Sequence, residues 1–168
     1  MKTLLALLSF FVISSLQAAN EYVSFSSLSL SNLTYSIQTN SASATTHDEC
    51  SAVIGRIKTF MDEVEKVGTN IPPENKLSIS NTCFKLSVSM NILSAKTELK
   101  RLELRKRMDN GFSDTSLRAN YDAEIGLMLL RNRLDLEEEI RGFETSIDRL
   151  RKLGVTMTGL LLMLSTSP

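Results

Sequence analysis

The sequence is most informative where it is poor. Among 168 residues there is no Trp, a single His, two Cys and three Pro. One imidazole, at His47, leaves little with which to build a general base, and nucleophilic catalysis needs a Ser or Cys beside such a group. No Gly-x-Ser-x-Gly elbow and no glycine-rich phosphate cradle is present. Two cysteines 33 positions apart, Cys50 and Cys83, match no close-spaced zinc pattern, so no metal ligand set is expected. Net charge is lacking as well: 19 Lys+Arg stand against 19 Asp+Glu, which argues against nucleic acid as a partner. No cofactor motif is found, and the chain reads as non-enzymatic.

The most specific feature is at the start. Met1-Lys2 gives a positive beginning, Leu4 to Leu16 is an apolar run, and Gln17-Ala18-Ala19 ends it with small residues. This is the pattern of a cleavable secretory signal over residues 1–19, and it predicts a secreted or periplasmic protein. Export would place Cys50 and Cys83 in an oxidising compartment, where a disulfide between them is expected. Such a bridge would close a loop of about 34 residues and stabilise by roughly 3 to 4 kcal/mol.

Residues 20–46 are rich in Ser, Thr and Asn, with apolar residues in short alternating sets: Val23 and Phe25, Leu28 and Leu30, then Leu33, Tyr35 and Ile37. Alternation of this kind predicts weak strands within a flexible arm. At Thr45 and Thr46 the pattern changes to cap-like Thr-x-x-Asp and Thr-x-x-Glu, and Val53, Ile54, Ile57, Phe60, Met61 and Val64 then recur at helical spacing as far as Gly68. Pro72-Pro73 forbids continuation. A second helix is expected from about Asn81 to Met108, with Cys83, Leu86, Met90, Leu93 and Thr97 on one stripe and Ile92, Leu99 and Leu102 on a neighbouring one. Asp109-Asn110-Gly111 reads as the turn, and a third helix is expected to begin near Ser113 to Ser116.

That third helix carries a heptad whose leading positions are Ile140, Phe143, Ile147 and Leu150, and Gly154 after Arg151-Lys152 looks like its end. The fold class predicted for residues 47–168 is therefore mainly α: an antiparallel helical hairpin with a third packed helix, preceded by a flexible or weakly β arm. The heptad needs a partner, supplied by the first helix, by another protein or by a second copy in a homodimer. The basic run Lys100, Arg101, Arg105, Lys106 and Arg107 is read as helix surface, with an anionic surface as its other reading. The uncharged tail 153–168 is expected either to bury against the bundle or to dock on a membrane. The functional expectation is an exported helical protein-interaction module without catalytic activity. Its alternative is a membrane-docking protein using the tail.

Overall fold

A computed structural model describes residue 25 and residues 27–113 and 123–166. Residues 1–19, where the signal is read, lie outside the described residues, as do residues 114–116 of the expected start of the third helix, while Ser113 still belongs to the helix before it. Four α-helices make up a small bundle, and among the described residues there is no strand. They are α1 (Ser27–Ser43), α2 (His47–Val67), α3 (Pro73–Ser113) and α4 (Ala123–Thr166), with a single 3-10 turn, Gly68–Asn70, between α2 and α3.

The arm is the first correction: residues 27–43 are helix, where short strands were expected. Its buried positions are Leu30, Thr34, Ile37 and Ser41, spaced by three and four, and the apparent alternation came from counting Leu28 and Tyr35, which are exposed. A hydroxyl that would compete with helix in an exposed chain is accommodated here, because Thr34 Oγ1 donates to the Leu30 carbonyl oxygen four residues back at 2.7 Å. The same back-bonding serves Thr82 (2.9 Å to Ser78 O) and Ser89 (3.1 Å to Lys85 O) in α3.

α2 begins and ends as its sequence predicts. Thr46 is the N-cap: its side chain accepts from the Glu49 backbone at 3.2 Å, while Glu49 Oε2 accepts from the backbone N–H groups of Thr45 (2.7 Å) and Thr46 (3.1 Å). The two backbone bonds to its carboxylate hold Glu49 below its ordinary pKa, the Thr45 bond being the largest cause. At the other end Gly68 takes φ +55°, and its N–H donates to the Val64 carbonyl oxygen. That is the one position among the described residues where a positive φ calls for glycine.

α3 and α4 both run longer than expected. α3 starts at Pro73, a first-turn position that proline tolerates because its missing N–H has no helical partner there, and it continues through Asp109-Asn110-Gly111 to Ser113. α4 passes through Gly154 to Thr166. The expected stop at Gly154 is not one; Gly154 keeps a negative φ and lies part-buried, with Leu153 before it and Met157, Leu160 and Leu164 beyond it facing the core. The apolar tail, as far as Thr166, is thus about four turns of packed helix rather than a free segment.

Helix directions alternate along the chain. Arg56 Nη1 donates to Ser36 Oγ at 2.8 Å, setting α2 antiparallel to α1. His47 stacks edge-on against Phe143 with ring centroids 6.1 Å apart, and Arg149 Nη1 donates to Ser51 Oγ at 2.6 Å, so α2 runs parallel to α4. Arg101 and Arg105 both meet Glu144, and Arg107, further along α3, shares a cleft with Asp135 and Glu139, earlier on α4, so α3 and α4 run antiparallel. α3 packs chiefly on α4 and α1, and α2 chiefly on α4. Lys96 from α3 donates to the Ser41 (3.3 Å) and Ala42 carbonyl oxygens, placing a cation on the negative end of α1.

In this register α1 ends beside Lys96 and α2 begins beside Gly142. The four-helix part is therefore confined to one end of the molecule. Beyond Thr97, roughly 24 Å of α3 and 30 Å of α4 continue together as a two-helix stalk, at 1.5 Å per residue. Among the described side chains, Leu104 is the last buried one on α3 and Ile140 the first on α4.

The cysteines give the second correction. Cys50 and Cys83 are both buried and both free, not bridged. Cys50 Sγ lies 3.9 Å from Thr97 Oγ1. Cys83 is fourteen residues earlier on that same helix, about 21 Å along its axis, whereas a disulfide needs Cα atoms within roughly 7 Å. Pairing them would require sliding α2 along α3 by almost four turns. What the expected disulfide would have held is held by packing: Cys50, Val53, Ile54, Ile57, Phe60, Met61 and Val64 form one continuous buried face of α2.

Candidate interaction surface

The heptad residues resolve first. Ile140, Phe143, Ile147 and Leu150 are all buried within the chain's own bundle, and Leu153, Met157, Leu160 and Leu164 extend the stripe. Gly154 and Leu161, the next expected heptad positions, are part-buried while Leu153 and Leu160 lie deeper. A helix near 3.6 residues per turn drifts off a strict seven-residue repeat, and here the drift moves the seam by one position. The heptad is spent inside the monomer.

The basic run divides. Arg101 Nε donates to Glu98 Oε2 at 3.1 Å and its Nη1 lies 3.7 Å from Glu144; Arg105 pairs with Glu144, and Lys100 with Glu103 at 3.1 Å. The bond from Arg101, aided by the nearby charges of Arg151 and Arg105, lowers the pKa of the Glu98 carboxyl. Lys106 and Arg107 are exposed. Arg107 borders an open cleft of about 730 Å³ between the stalk helices, whose opposite wall carries Leu129, Asp135 and Glu139. A second cleft of about 550 Å³ lies between Arg105 and Met108 on one side and Glu137 and Ile140 on the other. Both are lined by opposite charges around an apolar floor, with no accumulation of one sign.

His47 sits between Asp48 (Nε2–Oδ1 3.3 Å), the Phe143 ring and Gly142. The nearest hydroxyl on its helix face, Ser51, is taken by Arg149. Among the described residues no three His, Cys, Asp or Glu side chains are grouped to hold a metal ion. The two thiols are held protonated by burial: Cys83 is pushed up from 9.0 to about 11, and Cys50 is raised as well, with the Thr97 hydroxyl opposing it weakly. A buried, protonated thiol is a poor nucleophile.

What the stalk does present is apolar surface in water. Leu127, Leu130 and Leu134 recur at i, i+3 and i+7 on the outer side of α4 and are all exposed. The sequence reading did not single out these leucines, because their lack of cover follows only from the register. No protein-family model, no curated protein and no solved structure matches this chain.

Proposed function

We propose that the protein is an exported, non-catalytic protein-interaction module, and that the stalk is the part that meets its partner. The observation that carries this reading is the row Leu127, Leu130 and Leu134 exposed on a helix that projects beyond the bundle. A row at i, i+3 and i+7 fits the apolar face of an amphipathic helix laid alongside it. Export rests on residues 1–19, and protein N-terminal sequencing should find the chain beginning after Ala18 or Ala19.

The membrane reading of residues 153–168 has less to stand on. Leu153, Met157, Leu160 and Leu164 are occupied in the core, leaving Val155 and Leu162 as the large apolar side chains outside. Among the described residues no helix is long and apolar enough to cross a membrane.

A photo-crosslinking amino acid placed at Leu127, Leu130 or Leu134 in the native host should give one common adduct, absent when the probe replaces Val155. Equal adducts from all four positions, or none, would remove the stalk as the binding element. Adducts to phospholipid from Val155 and Leu162 would turn the reading toward the membrane.

A further inference from the structure

α3 is apolar on two opposite sides. Its buried residues Ile79, Leu86, Leu93, Thr97 and Leu104 face the bundle, while Leu77, Phe84, Val88, Ile92, Leu99 and Leu102 lie about 180° around the helix at 3.6 residues per turn. These six are between 44% and 71% exposed. A surface helix is normally polar opposite its buried stripe. Here the outer face holds no charge from Leu77 to Leu102; Ala95 continues it, and Asn81 and Asn91 are its polar positions.

At ~200 Å² for the whole surface of a large apolar residue, the six leave roughly 700 Å² uncovered. Contiguous apolar patches on monomers reach ~300–600 Å², and the largest of those are often functional. Two such faces pressed together would bury about 1,400 Å², within the range of stable specific interfaces.

We infer that this face is covered by the same face of a second copy, with the two α3 helices antiparallel about a twofold axis near Ala95. The charges along its shoulder fit that arrangement. Lys85 and Glu103 are eighteen residues apart, five whole turns, and so lie on the same side of the stripe. An antiparallel crossing midway between them, at Ser94, brings Lys85 of each copy opposite Glu103 of the other. A twofold axis generates that pair twice. Ala95 beside the crossing lets the backbones approach closely. A lipid surface fits less well, because Glu98 and Glu103 stand among the lysines at the edges of the stripe.

Sedimentation equilibrium of the protein as its host exports it should give the mass of two chains at micromolar concentration. Phe84→Lys and Leu99→Lys should each weaken the dimer by tenfold or more, and together give a monomer of unchanged helicity, since both side chains are exposed in the single chain. Leu130→Lys on the stalk should leave dissociation within twofold of wild type. Mixed Lys85→Cys and Glu103→Cys chains should cross-link on oxidation, while Leu77→Cys alone should not. A wild-type monomer at all concentrations would overturn the inference, and binding of that monomer to anionic vesicles would assign the stripe to a lipid surface instead. Lysine variants that dimerise normally would also overturn it, as would cross-linking through Leu77→Cys, which reports parallel helices.

Discussion

At the scale of single residues, the glycines and thiols give the sharpest tests of the packing. A Cβ on Gly142 would meet the His47 ring at 2.5 Å, and that ring is backed by Phe143. Gly159, in the same helix, has nothing within 4 Å of such a Cβ. Alanine gains ~1 kcal/mol over glycine in a helix interior, so Gly159→Ala should stabilise by about that much. Gly142→Ala sets the same gain against overpacking of ~1–3 kcal/mol and should destabilise by about 1 kcal/mol. Thermal melts check both, and His47→Ala should relieve the second. The Cys83 thiol makes a pH-dependent prediction. Its folded pKa, about 11, lies above its ordinary 9.0, so the unfolded chain loses its proton first as pH rises. Stability from this group is intact below pH 9 and declines between pH 9 and 11, by roughly 2–3 kcal/mol at the upper end. The difference in melting temperature between wild type and Cys83→Ala should shift in favour of the variant over that window; a constant difference would place the thiol outside the core.

At the scale of elements, α2 shows what local sequence can decide. Its N-cap, capping box and terminal glycine each act within four residues, so Thr46, Glu49 and Gly68 could be read directly and are found in place. Thr46→Ala should cost ~1 kcal/mol, measured by chemical denaturation. Because the folded-state pKa of Glu49 is lowered, the stability it adds is present above its unfolded pKa and is lost as pH falls through the folded value. The less legible elements are those whose decision lies outside their own residues. Leu33, Tyr35 and Ile37 satisfy a two-residue period, while Leu30, Thr34, Ile37 and Ser41 satisfy the helical one; burial against α3 and α2 chooses between them. The two stripes of α3 were both visible, but the second lies on the opposite face rather than next to the first, and nothing local says which becomes core. Cys50 and Cys83 each pointed inward as their spacing implied, yet their separation depends on the register between α2 and α3, a tertiary quantity. Gly154 resembled a terminator because it followed two cations, and the packing of Leu153, Met157 and Leu160 carries the helix through it.

At the scale of the whole molecule, burial is uneven along the long axis, and stability should follow it. The bundle end holds the completely buried Ile37, Ile54, Ile57, Ile79 and Leu86, whereas no described side chain of residues 105–113 or 124–139 is buried. The stalk is thus held by part-buried contacts such as Met108 and Leu136 and by exposed ion pairs such as Arg133–Glu137 at 2.9 Å, worth ~0–1 kcal/mol each. Local opening costs little where few apolar contacts are lost. Hydrogen exchange should therefore find amides of residues 105–113 and 124–139 exchanging first, and those of Ile54, Ile57 and Leu86 only on global unfolding. Ile147→Asp should cost several kcal/mol by burying an unpaired charge, while Leu130→Asp should stay within about 0.5 kcal/mol of wild type. If the stalk binds its partner through Leu127, Leu130 and Leu134, bound partner should slow exchange along α4 there and leave the bundle amides unchanged. Protection confined to the bundle would instead place the binding surface at the other end of the molecule.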